Sequence, residues 1–193
     1  MEFKSGIVSN KIRIVSSRIS ASRITWIFSF ALLTAISAQL TIPMKPVPIT
    51  LQTMAVVLAG AFIGAKDGAY SQVLYLFLGI IGLPVFAQTP DAPVGIARLF
   101  GPTGGYLLAF PLAAYLTGFI VERNKNYINV VIALFAGDLL IILVGTIILD
   151  LFFIRNFELS LKAGAAVFSI WTVIKVFTAA SIFFTINKSS AKS

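Results

Sequence analysis

GGYLLAFPLAAYLTGFIV, residues 104–121, is a run of eighteen residues without a single charge, entered through Gly101-Pro102-Thr103 and left through Glu122-Arg123-Asn124-Lys125. That length and character suit a helix crossing a hydrocarbon layer about 30 Å thick. Pro111 in its middle is predicted to kink it. Working outward, ITWIFSFALLTAISAQL (Ile24 to Leu40) reads as a first crossing and Ile49 to Ala65 as a second, stopped by Lys66-Asp67-Gly68. A third follows from about Ala69 to Leu83. Tyr127 to Leu149 is a further crossing that contains Asp138, and about Ala163 to Ile186 is the last, containing Lys175. The second and third are short for a bilayer, which predicts that they pack inside the bundle or end in backbone covered by protein.

Composition supports this count. The chain has 193 residues, 58% of them hydrophobic and only 11% charged. Six crossings at about 20 residues each consume roughly 120 residues, close to the whole apolar content, so little is left for a soluble domain. The expected fold is an all-α integral membrane protein, a bundle of six transmembrane helices over residues 24–187. A basic leader (1–23) precedes it and a short tail (188–193) follows.

With no Cys and no His, disulfides, thiolate nucleophiles, Cys or His metal sites, haem ligation and Ser-His-Asp catalysis each lack a necessary part. No metal and no cofactor is implied. The net charge of +8 is a matter of membrane orientation rather than of nucleic acid. Lys4, Lys11, Arg13, Arg18 and Arg23 in the leader, with Lys66, Arg123, Lys125, Lys188 and Lys192, fall on the side of the termini, against Lys45, Arg98, Arg155 and Lys162 on the other. The bias predicts cytoplasmic termini in a multi-pass protein of the cytoplasmic membrane. A basic stretch, an apolar run and small residues at Ala35 and Ser37 also have the layout of a cleaved signal peptide, but the run is long and everything downstream is membrane.

Candidate functional residues cluster toward the outer side. Asp138 and Lys175 are charges inside spans, each costing about 2.5–3.5 kcal/mol at mid-bilayer. Either they serve a ligand or proton path, or they pair to hold neighbouring helices together. The loop from Pro84 to Thr103 carries Phe86, Gln88, Thr89, Asp91 and Arg98 and runs into Gly104, Gly105 and Tyr106. If a helix begins at Gly104, its unpaired N–H groups lie near Arg98, a corner suited to a small carboxylate. A tight loop-to-helix turn fits the same residues. Gln39, Thr50 and Gln52 lie at that level, lining the mouth or capping helices. Ala31 and Ala35 share one face of the first helix, which allows a close neighbour, either a partner's helix or one of this chain.

IPMKPVPITLQTMAVVLAGAFIGAKDGAYSQVLYLFLGIIGLPVFA and GPTGGYLLAFPLAAYLTGF, with a weaker likeness through AGDLLIILVG, resemble the BioY family, the substrate-binding S components of energy-coupling-factor (ECF) vitamin transporters. The resemblance implies a non-enzymatic six-helix protein that binds biotin from outside. It also implies delivery by association with a membrane T component and two ATPase subunits, surrounded by lipid. On that resemblance Ala31 and Ala35 become the T-component interface, Arg98, Gly104 and Gly105 approach the biotin carboxylate, and Gln88 and Thr172 lie near the bicycle, while Phe86 and Tyr106 stand where an apolar ring system can be stacked. Lys175 and Asp138 organise the interior. One departure stands out. The family's last helix commonly opens Pro-Gly-Asp ahead of its Lys, whereas this chain has Thr172 at the acidic position, and a neutral hydroxyl accepts hydrogen bonds about half as strongly as a carboxylate. The ligand is then biotin bound through other residues, such as Asp138, or a precursor or different vitamin. A membrane-embedded enzyme using Asp138 and Lys175, or a scaffold without ligand, are the rivals from other classes.

Overall fold

The computed structural model describes residues 22–88, 93–167 and 170–190; most of the basic leader, Thr89, Asp91 and residues 191–193 lie outside them. Seven helices are found among the described residues. They are α1 (residues 22–39), α2 (Gln52–Ile63), α3 (Ala65–Ile80), α4 (Gly104–Arg123), α5 (Tyr127–Leu149), α6 (Phe157–Val167) and α7 (Ile170–Ser190). Between α1 and α2 the proline-rich loop forms a small hairpin, β1 (Thr41–Ile42) against β2 (Ile49–Thr50), with Thr41 opposite Thr50 and Ile42 opposite Ile49.

The burial pattern explains why these residues make a membrane bundle. Along α5 the buried positions Val130, Ala133, Leu134, Gly137, Asp138, Ile141, Ile142, Gly145, Thr146 and Leu149 repeat at three- and four-residue steps, the period of one helix face. Its other face carries Ile132, Leu139, Leu143 and Ile147, all exposed. Trp26, Phe28, Leu32 and Ile36 do the same on α1, and Tyr70, Val73 and Phe77 on α3. A helix that is apolar both inward and outward has no face to offer water, and the outer band is matched instead by lipid tails. Among the described residues, Gly104–Arg123 and Tyr127–Ile154 are the two helical stretches long and apolar enough to cross a bilayer by length and composition. α4 is the hub, packed against α2, α3 and α5, while α7 closes the bundle against α5 and α2.

α2 is 12 residues long, about 18 Å at 1.5 Å per residue, too short to cross about 30 Å of hydrocarbon. As the sequence predicts, it is packed inside: Gln52, Thr53 and every residue from Ala55 to Ala61 are buried.

Two expected boundaries are corrected. The break after α2 falls at Gly64, not at Lys66-Asp67-Gly68. Gly64 has φ +85° and ψ 175°, a region open in practice to glycine alone, and it is the single residue joining α2 to α3. Lys66 to Gly68 belong to the first turn of α3, where Asp67 is favourably placed against the helix dipole. The Glu122 carboxylate, at the end of α4, accepts the Ala65 N–H at 2.8 Å and so satisfies an otherwise orphaned donor. Secondly, Asp150 to Lys162 is not a plain loop. It holds a π-helical turn (Asp150–Ile154), a left-handed Arg155 (φ 51°), and the start of α6. Asn156 caps α6 by accepting the Leu159 N–H at 3.1 Å, and the Ser160 hydroxyl donates to Asp150 at 2.8 Å, folding the turn onto the helix. Pro111 lies within a continuous α4.

Candidate functional site

The N-terminal ends of α2 and α4, the hairpin loop, the 3-10 turn Gly95–Phe100 and the Lys175 segment of α7 converge at one end of the bundle and line a small, partly open pocket. Val47 and Pro48 come from the hairpin loop and Thr50 from β2; Gln52 and Thr53 open α2. The loop after α3 contributes Phe86 and Ala87, the 3-10 turn Arg98, α4 Thr103, Tyr106, Leu107 and Phe110, and α7 Lys175.

Two cations therefore reach the pocket. Arg98 is only 5% exposed and its Nη2 donates to the Ala87 carbonyl at 2.6 Å, tying the turn to the loop that carries Phe86. Burial pulls its pKa below the ordinary arginine value, opposed by the neighbouring Tyr75; guanidinium remains charged at any accessible pH. Lys175, 4% exposed, donates from Nζ to the Thr53 hydroxyl at 2.7 Å, joining α7 to α2. A relay of neutral groups runs across the floor. The Thr50 hydroxyl donates to Gln52 Oε1 at 3.0 Å, Gln52 Nε2 donates to the Tyr75 hydroxyl at 2.5 Å, and Tyr75 donates to the Val85 carbonyl at 3.1 Å. Gln39 is not a pocket residue: its amide donates to the Pro84 carbonyl at 3.3 Å and clamps this loop to α1. The aromatic wall is seated equally firmly. Phe86 meets Tyr75 edge-on at 5.6 Å and lies directly over Gly79, where a Cβ would stand 2.0 Å from its ring. The Tyr106 hydroxyl pairs with Thr146 at 3.2 Å.

Of the residues singled out in the sequence, Arg98, Thr50, Gln52, Phe86, Tyr106 and Lys175 are brought together. The others among the described residues are not. Gln88 is exposed. Asp138 (2% exposed) and Thr172 (1%) are buried away from the pocket wall. Gly104 and Gly105 serve packing: the Gly104 N–H donates to the Gly101 carbonyl at 2.9 Å, a Cβ there would fall 1.8 Å from Leu99 O, and one on Gly105 would fall 2.6 Å from Ile148 Cβ. Ala31 and Ala35 are turned inward, 1% and 7% exposed, within the core that includes Val56, Tyr75 and Phe110. They present no free face to a partner. Asp138 and Lys175 form no ion pair; Lys175 is held by Thr53. Thr53, Tyr75 and Thr103 escaped sequence reading. A signal for Tyr75 exists, since Gly68, Ser71, Gln72, Tyr75 and Gly79 place the polar residues of α3 on its buried face.

At the opposite end a second recess lies among Arg23, Ile63, Lys66, Asp67, Tyr115 and Glu122. Arg23 pairs with Asp67 at 2.5 Å, and that hydrogen bond raises its pKa; Glu122 is committed to Ala65.

The chemistry of the first pocket is one-sided. It offers two cations, five neutral hydrogen-bonding side chains (Thr50, Gln52, Thr53, Thr103 and Tyr106) and an apolar wall, with no acid among the described lining residues. This defines a helical membrane protein with a ligand pocket built for a small anion on an apolar body. Residues 10–192 match the model of the BioY family, and the chain belongs to that family. It is 36% identical over 163 residues to the probable biotin transporter BioY of Pyrococcus horikoshii, covering 84% of this chain and 94% of that one. It is 33% identical to the biotin transporter BioY of Thermotoga maritima, over 82% of this chain and 92% of that one. The crystal structure at 2.1 Å of the S-component for biotin from an ECF-type ABC transporter superposes with a TM-score of 0.80 at 27% identity, covering 89% of this chain and 93% of that one.

Proposed function

We propose that this chain is the substrate-binding S component of an ECF transporter and takes up biotin across the cytoplasmic membrane. It carries transport rather than catalysis, as the names of its relatives indicate. The observation that carries the reading is the pairing of buried Arg98 with an apolar, hydrogen-bonding pocket in a chain of this family. Biotin has the matching parts: one carboxylate on an apolar tail, and a fused bicycle whose ureido carbonyl and N–H groups demand buried partners. The carboxylate lies at Arg98, while Thr53, Gln52 and Lys175 face the bicycle and Phe86 and Phe110 flank it.

The finer architecture of the proposal is six crossings within residues 24–187, both termini cytoplasmic on the basic bias, and the pocket opening outward. Energy comes from ATP hydrolysed by two partner ATPases coupled through a T component. Contact with that component lies on α1 surface other than the buried Ala31 and Ala35. The test is equilibrium binding of labelled biotin to the purified chain, with desthiobiotin and thiamine as competitors. Saturable binding displaced by unlabelled biotin supports the proposal. Displacement by desthiobiotin in preference to biotin assigns the pocket to a precursor, and no saturable binding removes the proposal.

A further inference from the structure

Tyr75 is fully buried on α3 and stands behind the pocket rather than among its described lining residues, yet three side chains of the wall rest on it. Its ring meets Phe86 edge-on at 5.6 Å and stacks on Phe110 at 6.2 Å, 25° from parallel. Its hydroxyl accepts from Gln52 Nε2 at 2.5 Å and donates to the Val85 carbonyl at 3.1 Å. One residue of α3 thereby holds wall side chains from α2, from α4 and from the loop after α3.

The hydrogen bonds through Tyr75 have a direction, and both ends of the relay are backbone groups whose roles cannot be exchanged. At one end the Gln52 N–H, a donor only, donates to the Thr50 hydroxyl at 3.3 Å. The Thr50 hydroxyl in turn donates to Gln52 Oε1 at 3.0 Å. At the other end the Val85 carbonyl, an acceptor only, takes the Tyr75 proton. A hydroxyl has one proton, so Tyr75 can meet Gln52 only as an acceptor, and the amide must turn its nitrogen toward it. The reversed amide would set Oε1 against the Tyr75 oxygen with no proton between them, or leave the Val85 carbonyl without its donor. Gln52 is therefore locked, with its nitrogen behind the wall at Tyr75 and its oxygen beside Thr50, which lines the pocket. A carbonyl oxygen has two lone pairs, and Thr50 occupies one.

We infer that Tyr75 is a positioning residue that sets the polarity of the pocket: it fixes the Gln52 amide so that Oε1 accepts from a ring N–H of the ligand, and so selects a ring that donates there over one that accepts. The inference rests on the reading of this pocket as a biotin site, whose ureido ring carries two N–H groups. Arg98 and Lys175 can only donate, and the hydroxyls of the wall serve either way. A locked acceptor is what gives the wall a fixed partner for a ring N–H.

The test uses the full chain in detergent and three ligands: biotin and the two cyclic carbamates in which one or the other ring N–H is replaced by oxygen. Wild type is expected to bind at least one carbamate about tenfold or more weakly than biotin, because a ring oxygen facing Oε1 leaves both acceptors without a proton. Tyr75→Phe keeps the ring against Phe86 and Phe110 and removes only the hydroxyl, so the amide is free to turn. It should weaken biotin by about 2- to 10-fold and cut the discrimination against that carbamate to within about threefold. A role in packing alone would weaken all three ligands by one factor and leave the discrimination as it was. Wild type that binds both carbamates as tightly as biotin, or a Tyr75→Phe variant that discriminates as wild type does, overturns the inference. If Tyr75→Phe does not fold, Gln52→Met decides: without the amide the same discrimination should be lost, and its full retention overturns the inference. Wild type without saturable biotin binding removes the proposed function and this inference together, whereas intact biotin binding with unchanged discrimination in the variants removes the inference alone.

Discussion

Replacing Arg98 by Ala separates the two halves of the proposed ligand. An exposed ion pair contributes about 0–1 kcal/mol because water competes for both partners. Arg98, however, is 5% exposed and already held by Ala87, so it meets a carboxylate with little reorganisation. A charge-assisted bond of that kind contributes about 1.5–3 kcal/mol, whereas a neutral one contributes about 0.5–1.5. At 1.4 kcal/mol per factor of ten, R98A should weaken biotin by about 10- to 150-fold and the biotin amide by about 2- to 12-fold. The mutation also frees the Ala87 carbonyl and loosens the loop bearing Phe86, a loss shared by both ligands, so the ratio of the two losses isolates the charge. Isothermal titration with both ligands gives that ratio, and unfolding of the ligand-free variant reports the shared part. Equal losses for acid and amide would refute the assignment of the carboxylate to Arg98.

Further outcomes follow from the packing. Gly79→Ala places a Cβ 2.0 Å from the Phe86 ring; overpacking of this kind costs about 1–3 kcal/mol, so the variant should melt lower and lose biotin affinity, while the smaller Phe86→Leu in the same chain should recover part of both. Gly64→Ala combines a forbidden backbone conformation with a Cβ 2.4 Å from Glu122 and should destabilise by about 1–3 kcal/mol in thermal unfolding without changing ligand preference. Glu122→Gln keeps an acceptor for the Ala65 N–H but loses its charge, and should cost about 1 kcal/mol or less; Glu122→Ala should cost more. Thr53→Val removes the hydroxyl that accepts from Lys175 and should weaken biotin by about 3- to 10-fold, with R98A and T53V losses adding independently in a binding cycle.

How much of this was legible in the residues depended on contrast. Long apolar runs with at most an isolated charge marked α1, α4, α5 and α7, and the short α2 was recognisable as an interior helix because its residues cannot reach across a bilayer. The segment after Asp150 misled because its apolar residues carry no helical period, and the turn is fixed by the Ser160–Asp150 bond, which spacing does not announce. Ala31 and Ala35 failed for a related reason. Periodicity says that two small residues share a face, but in a helix apolar on both sides it does not say whether that face meets the core or a partner. Gln88 was weighted for its chemistry, yet Phe86 and Ala87 are the residues that turn inward while Gln88 points out. The Lys175–Thr53 bond joins residues 122 positions apart and has no local trace.

What does mark the interior of such a chain is polarity, the reverse of the rule for soluble proteins. Thr34, Ser71, Gln72, Thr117, Asp138, Thr146, Thr172 and Lys175 are all buried, while many exposed positions of the same helices carry large apolar side chains such as Phe28, Leu32, Val73, Leu112, Leu143 and Phe177. Deep in the bundle these groups satisfy one another: Thr34 donates to the Phe30 carbonyl at 2.9 Å and accepts from Gln72 at 3.2 Å, Gln72 donates to Ser71 at 3.0 Å, and Thr117 donates to the Ala133 carbonyl at 3.3 Å. Where they line the pocket they hold spare donors and acceptors, which is what a polar ligand requires. Asp138 fits neither group, since it lies deep and still has an unpaired oxygen. In a membrane interior a polar atom left unpaired is costly, and at this oxygen the bundle bears that cost without a hydrogen bond in return.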